Sequence, residues 1–463
     1  MNRRSFLKTA FAFSTVPYIR TFAAQAKPYL RMGILSDVHV RKPGWSLDPL
    51  IGALKWFDTQ KVDGVVIAGD IADQGLTEQL RHAGAAWDSI FPDNRAADGR
   101  AVEKVFVTGN HDNHFWKHPS AAKIYPDEKE RFEKSIAKDF NAAWQECFHE
   151  DYIRLSRKEI KGYTFIGRHY ATPGIGKYMH DQKASLDPSK PFFYVQHQHL
   201  KDTCYGSWAW GQDKGDSTKA LSKFPNAVAF SGHSHYSLTD ERSVWQGSFT
   251  SIGTASLSYI VASGKESYEN VRGEGKEDRV KEMSPFSMRN GKHGMLMDVF
   301  ADKMVFSRWN FNSASVESLG EDWSIPLPFA EPPPFSFASR AKKVAVPQFP
   351  AKSTAKAAVR EGENRERKKH QQVVVTFPAA TDGGRAHDYE IQVIGEGSDK
   401  PALVRYVISA TVHLPRKYEK GEASCVFAAS ELPSKCKFVV YPRNSYGKSG
   451  NPLSTTFQTI AVA

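Results

Sequence analysis

The chain has 463 residues, with 62 Lys and Arg against 51 Asp and Glu, a formal charge of +11. That length exceeds one ordinary domain and predicts two, with enough apolar residues for a large core. Four of the basic residues, Arg3, Arg4, Lys8 and Arg20, lie in a leader-like segment, and the mild excess left without them suits an anionic substrate or surface but does not demand nucleic acid.

Residues 1–26 read as an export signal. Met1 to Lys8 is basic, Thr9 to Ile19 is modestly apolar, and Ala24-Gln25-Ala26 is a small-x-small cleavage site. Arg3-Arg4-Ser5-Phe6-Leu7-Lys8 resembles the twin-arginine signal of bacteria; an ordinary Sec signal is the alternative. Either way the mature chain is expected to start near Lys27 and to be periplasmic or extracellular. No run of about 18 apolar residues follows, so no membrane span is expected. An exported protein can oxidise its cysteines. Of the three pairings open to Cys147, Cys204, Cys425 and Cys436, Cys425 with Cys436 is favoured by closeness in sequence.

Residues 27–320 predict a catalytic domain. A short strand begins at Leu30 and ends in Asp37-Val38-His39. Leu47 to Gln60 has helical spacing, with Leu50, Ile51, Leu54 and Phe57 on one face. Val65-Val66-Ile67-Ala68 is a buried strand that stops at Gly69-Asp70. A helix from Thr77 to Ile90 precedes a third strand, Lys104 to Thr108, which ends in Gly109-Asn110-His111-Asp112. This order predicts a βαβαβ layout with a mostly parallel sheet. Asp127 to Cys147 predicts a helix, and Tyr152–Arg157 with Tyr163–His169 a hairpin. Strands at Pro191–Gln196 and Asn226–Phe230 end in His197-Gln198-His199 and Ser231-Gly232-His233-Ser234-His235. Val244 to Leu257 is β-rich, and Met295–Phe300 with Met304–Phe311 predicts a closing hairpin.

Residues 321–370, rich in proline and then in charge, predict a linker, and the charged run Arg360 to Lys369 a solvated loop. Residues 371–463 read as a small β-sandwich, with alternating runs such as Val373–Phe377, Tyr389–Ile394 and Lys437–Tyr441. Pro442 to Asn451 resembles the last turn of fibronectin type III domains. This half holds no cluster of chemistry-bearing residues.

Five strand ends thus carry metal-ligand side chains: Asp37 and His39, Asp70, Asn110 and His111, His197, and His233 with His235. One such end has an ordinary explanation as a turn or helix cap. Five together do not. Imidazole with carboxylate oxygen suits manganese, iron or zinc rather than calcium, and the absence of thiolate argues against a closed structural zinc site.

The ordered set Asp37-x-His39, Gly69-Asp70, Gly109-Asn110-His111-Asp112, His197 and Gly232-His233-Ser234-His235 resembles the motifs of the calcineurin-like metallophosphoesterases over about residues 30–311. The resemblance implies an α/β fold with a four-layer αββα core and two divalent transition-metal ions. It implies Asp37, His39 and His235 at the first ion, Asn110, His197 and His233 at the second, and Asp70 bridging them, with His199 the alternative to His197. It further implies hydrolysis of a small phosphate mono- or diester by a hydroxide shared between the ions, with His111 as general acid and Asp112 holding its imidazole. Asp73 stands where purple acid phosphatases carry a tyrosine. Asp73-Gln74-Gly75 and Asn110-His111-Asp112 depart from the protein Ser/Thr phosphatase pattern, which disfavours protein substrates. Asp73 itself reads as a turn or helix-side residue. His114, Trp116, His118, Trp208 and Trp210 are candidates to line a pocket for a base or an aryl group, with local packing the default; His82, His149, His169 and His180 read as structural or surface residues. Two other readings are an inert scaffold acting through its sandwich, whose partner the sequence does not identify, and a metal-dependent nuclease, which no long basic stripe favours.

Overall fold

Val65, Val66, Ile67 and Ala68 are all buried because their strand is covered on both faces. This strand, β2 (Gly64–Ala68), lies between β1 (Leu30–Leu35) and β3 (Glu103–Val107) and runs parallel to both. The computed structural model describes residues 27–41, 47–114, 140–207, 209–261, 287–288, 290–312, 315–363 and 368–458. The expected export signal and the front of the Asp127–Cys147 helix lie outside the described residues.

Two sheets form the front half. In the first, β14 (Ser315–Ser318), β13 (Lys303–Asn312) and β12 (His293–Val299) continue antiparallel from β1, and β15 (Trp323–Pro326) also pairs with β13. The second has the order β4 (Leu155–Ile160), β5 (Tyr163–Arg168), β6 (Phe192–Val195), β7 (Ala227–Ser231), β9 (Thr250–Gly253), β8 (Val244–Gln246). Its four central strands, β5, β6, β7 and β9, are parallel. A small ladder joins β10 (Ile260–Val261) to β11 (Ser287–Met288).

Side-chain alternation sets the layers. Val66 and Ala68 pack with Phe193, Val195, Val228 and Phe230 in a core between the sheets. Val65 and Ile67 point the other way, towards α1 (Leu47–Thr59), α2 (Thr77–Asp88) and α4 (Phe140–Phe148). Leu50, Leu54 and Phe57 supply the buried stripe of α1. On the far side, α5 (Ile175–Gln182) and α6 (Asp216–Leu221) cover the second sheet through Ile175, Met179 and Leu221. The result is the αββα core. Each large apolar side chain wholly buried in it contributes roughly 1.5–3 kcal/mol. The short helix α3 (Asn110–His114) starts directly after β3. Among the described residues no helix is long and apolar enough to cross a membrane.

The rear half is a β-sandwich. One sheet is β17 (Lys356–Glu363), β18 (Lys369–Pro378) and β22 (Glu422–Ala428); the other is β21 (Pro401–Ile408), β20 (Asp388–Gly395), β23 (Lys435–Arg443) and β24 (Leu453–Gln458). Val373, Val375 and Phe377 meet Tyr389, Ile391, Phe438 and Val440 between them. A two-residue ladder of β16 (Pro347–Gln348) with β19 (Asp382–Gly383) lies beside it.

Three expectations are corrected. The segment 321–370 is built into its neighbours. Its start is β15, whose Trp323 and Ile325 are buried in the inter-sheet core; Pro326 is tolerated because β15 pairs on one side only. Further on come α7 (Phe337–Lys343) and β17. The charged run Arg360 to Lys369 is no solvated loop throughout, since Arg360–Glu363 pairs with Lys369–Gln372. β17 is an edge strand with mostly exposed residues, where charge discourages further pairing. Cys425 and Cys436 form no disulfide with each other: they sit on β22 and β23, in opposite sheets, and all four cysteines are buried.

Candidate metal centre

The site lies at the C-terminal ends of parallel strands, where open α/β sheets place their ligands. Asp37 and His39 follow β1, Asp70 follows β2, and Asn110 and His111 open α3 after β3. His197 follows β6, and His233 and His235 follow β7. Both sheets therefore contribute. Asp37, His39, Asp70, His233 and His235 all have left-handed backbone, with φ between 49° and 73°. Non-glycine residues seldom adopt it, and five together mark a site whose surroundings hold them there. Close approach also fixes two glycines. A Cβ on Gly69 would lie 2.5 Å from His197 Nδ1, and one on Gly232 would lie 2.2 Å from Asp37 Oδ2.

The side chains form two adjoining groups. In the first, Asp37 Oδ1 is 3.0 Å from His235 Nε2, which is 3.2 Å from His39 Nε2. In the second, His197 Nε2 is 3.1 Å from each of Asp70 Oδ2, Asn110 Oδ1 and His233 Nδ1. Asp70 Oδ2 is also 3.8 Å from His39 Nε2, so this one oxygen stands between the groups. Asp37, His39 and His235, and likewise Asp70, His197 and His233, converge closely enough to hold an ion. The donor chemistry fits a cation. Two imidazole nitrogens at 3.2 Å cannot both accept, so a proton or a metal cation has to lie between them, and the converging carboxylates suit either. Asp37, His39, Asp70, His197 and His235 are buried, whereas Asn110, His111 and His233 are partly exposed, which defines the open side.

Bonds behind the site set the tautomers. His197 Nδ1–H donates to the Ala68 carbonyl at 2.9 Å, and His235 Nδ1–H to that of Tyr259 at 3.1 Å. His39 Nδ1–H donates to Asp73 Oδ1 at 3.1 Å. Each leaves Nε2 aimed into the cluster. Asp73 was missed as a site residue: its position in the sequence reads as a turn, but its carboxylate orients His39 and pairs with Arg41 at 2.6 Å. His199 is excluded from the cluster. It bonds Ser231 and Ser234 hydroxyls, and burial pushes its pKa down to about 3.

Asp112 is corrected. Its carboxylate does not reach the His111 ring but accepts the backbone N–H groups of Ile71, Ala72 and Gly109 at 3.2, 2.7 and 2.8 Å. It thereby ties the loop after β2 to the loop after β3. The His111 ring is held instead by its Nδ1–H on the Asp73 carbonyl at 2.7 Å. Its backbone N–H donates to Asp70 Oδ1 at 2.9 Å, and its Nε2 lies 4.0 Å from Asp70 Oδ2.

Electrostatics bind the groups together. Burial opposes the charge on Asp37, but His235 and His197 outweigh it and hold its pKa near 2. Burial likewise opposes charge on His197, yet Asp70 and Asp37 raise it to about 9. Buried carboxylates here draw positive charge onto whatever lies among them. Trp210 stacks on His233 with ring centroids 4.7 Å apart. Trp116, His118, Trp208 and the side chain of His114 lie outside the described residues. His169 is buried against Thr108, and His149 and His180 are exposed beside Asp88 and Asp181.

Part of the chain matches a known family. Residues 30–237 match the family model described as calcineurin-like phosphoesterase. Comparison with the curated proteins gave no match. Among solved structures, a dimetal phosphatase from Danio rerio is 13% identical with a TM-score of 0.38, over 65% of this chain and all of that one. A purple acid phosphatase from yellow lupin (Lupinus luteus) seeds is 14% identical with a TM-score of 0.40, over 64% of this chain and 53% of that one. GAP50 of Plasmodium, described as the anchor in the inner membrane complex, is 14% identical with a TM-score of 0.37, over 65% of this chain and 89% of that one.

Proposed function

We propose that this chain, whose residues 30–237 are a calcineurin-like phosphoesterase domain, hydrolyses small phosphate mono- or diesters with two divalent metal ions after export from the cytoplasm. The observation that carries the reading is Asp70 Oδ2, 3.1 Å from His197 Nε2 and 3.8 Å from His39 Nε2. One carboxylate oxygen shared by two histidine groups lets two cations lie close together. Asp37, His39 and His235 would hold one ion, Asn110, His197 and His233 the other. Manganese, iron or zinc suits these donors.

Two such ions offset the charge of a phosphate ester and make hydroxide available near neutral pH. The protein's own residues do the rest. Asp37 and Asp70, buried and ionised, would hold the ions, and the bonds on the Nδ1 atoms fix the imidazole planes. His111 stands apart as the proton carrier. With Nδ1–H on the Asp73 carbonyl, its Nε2 would carry the proton given to the leaving oxygen, against burial that lowers the pKa of the ring. Asp112 acts one step back, by locking the two loops that present Asp70 and His111.

The test is metal content together with hydrolysis of bis-p-nitrophenyl phosphate against p-nitrophenyl phosphate. Two ions per chain and turnover that vanishes with chelation support the reading. A metal-supplemented protein that retains none and cleaves neither ester refutes it.

A further inference from the structure

The outer edge of the centre carries an aromatic that packing does not explain. Trp210 lies nearly flat on His233, 20° between the ring planes, and is 62% exposed. One face of the indole is covered by an imidazole of the metal centre while much of the side chain stays open to solvent. A tryptophan serving only to wedge His233 would be expected to bury itself. The loop that carries it is fixed in advance. The Gln212 side-chain amide donates to the backbone carbonyls of Gly206, Ser207 and Ala209. The Trp210 backbone N–H donates to the Tyr236 hydroxyl at 3.3 Å. Gly211, at φ 86°, passes so near that a Cβ would lie 2.6 Å from His233 Cδ2. Little order remains to be lost when something settles on the indole.

The rings continue inward. His233 and His197 lie 4.8 Å apart, and Tyr170 stands edge-on to His197 at 6.4 Å. Next to Tyr170 and His197 opens a cavity of about 510 Å³, lined also by Gln198, Gln212, Asp213 and Lys214; Trp210 and His233 do not border it. The exposed indole face beside His233 suits a planar ring, and the polar lining of the cavity next to His197 suits a ring with a polar edge better than an alkyl chain.

We propose that Trp210 is the platform of a substrate subsite that binds a planar aromatic group with polar edges, of the nucleobase kind, carried by the phosphate ester. The subsite rests on the phosphoesterase reading for the position of the phosphate, and on Trp210 for the ring. Its function is specificity: it lowers KM for esters that carry such a ring.

Two esters with one non-aromatic leaving group isolate the effect, thymidine 5′-(methyl phosphate) and dimethyl phosphate, followed by methanol release. The wild type is expected to favour the thymidyl ester in kcat/KM. Trp210→Ala is expected to shrink that preference about tenfold or more, mainly through KM, and Trp210→Phe to keep most of it. Calorimetry of the metal-loaded protein with thymidine 5′-monophosphate against methyl phosphate should show the same selective loss without turnover. A preference ratio unchanged by Trp210→Ala overturns the proposal, including the case where both rates fall together because His233 has moved. If the wild type cleaves both esters with no preference, the subsite is wrong and the hydrolase reading stands. If neither is cleaved but nucleotide binding still depends on Trp210, the subsite stands and the hydrolase reading falls.

Discussion

The Nε2 atoms of His39 and His235 face each other 3.2 Å apart, with each Nδ1 tied elsewhere by a hydrogen bond. With both Nδ1 atoms so occupied, only a shared proton or a bound cation relieves the pair, and a divalent ion there would take both lone pairs. His235→Ala should therefore lose one of two ions and keep the second, held by Asp70, Asn110, His197 and His233. Asp70→Asn should disturb both, because its Oδ2 is shared. Metal analysis after dialysis separates the outcomes, and full retention of both ions in Asp70→Asn would remove the bridging role.

Asp73 should matter to metal affinity although no ion need touch it. Its Oδ1 takes the Nδ1 proton of His39, which fixes the tautomer and makes Nε2 a stronger donor. Asp73→Asn should weaken the site of Asp37, His39 and His235 by about 10–100-fold, the usual effect of such supporting residues. Competition with a chromogenic chelator measures it. Equal affinity in variant and wild type would reduce Asp73 to a partner of Arg41.

The residues that converge at the site were legible in the sequence and their supports were not. An apolar run that stops at a polar metal-ligand side chain is a local pattern, so Asp37, Asp70, Asn110, His197 and His233 can be read along the chain. Asp112 cannot be read that way. It sits beside His111 in sequence, but two of its three donors, Ile71 and Ala72, come from a loop about forty residues earlier. His199 and His197 look alike until the Ser231 and Ser234 hydroxyls claim one of them. In the fold, β15 was hidden by its prolines, β17 by its charges, and β22 by the small residues of Glu422-Ala423-Ser424. Each is paired through partners distant in sequence, which override weak local propensity.

Metal loading should release a proton. Without an ion, Asp70 and Asp37 raise His197 to about 9, so it is protonated at pH 7. An incoming cation needs the Nε2 lone pair and must displace that proton. Affinity should therefore rise with pH until about 9, where this contribution ends. Calorimetry in two buffers of different ionisation enthalpy counts the protons. No release at pH 7 would show that His197 is already neutral.

His111 and Asp112 should fail in different ways. His111→Ala should keep both ions and the fold but lose turnover most on alkyl phosphates, whose leaving groups need a proton. Asp112→Ala strands three backbone donors at about 1–3 kcal/mol each, so it should lower thermal stability and metal content together. Asp112→Ala with normal stability and only a shifted pH profile would restore the discarded contact with the His111 ring.

The two halves of the chain should unfold as one. From the front half, Asp240 accepts from Arg242 at 2.8 Å, and Arg242 reaches His387 of the sandwich at 3.3 Å. His387 Nδ1–H donates to Asp388 at 2.9 Å, and Asp388 pairs with Arg443 at 2.7 Å. All five residues are buried. Nearby, His293 Nε2–H donates to the His413 carbonyl at 2.9 Å, and the Tyr446 hydroxyl to that of Glu241 at 3.2 Å. A buried charge that loses its partner costs about 3–5 kcal/mol, whereas replacing both partners with apolar groups is often nearly neutral. Arg242→Met should therefore destabilise by that amount, and adding Asp240→Leu should recover most of it. Urea unfolding followed at both halves is the measurement. If the front half and the sandwich melt separately in the wild type, or Arg242→Met is silent, the charged chain does not couple them. A single transition that moves with Arg242 makes the sandwich part of what holds the loop beyond His235, and so part of the metal centre's support.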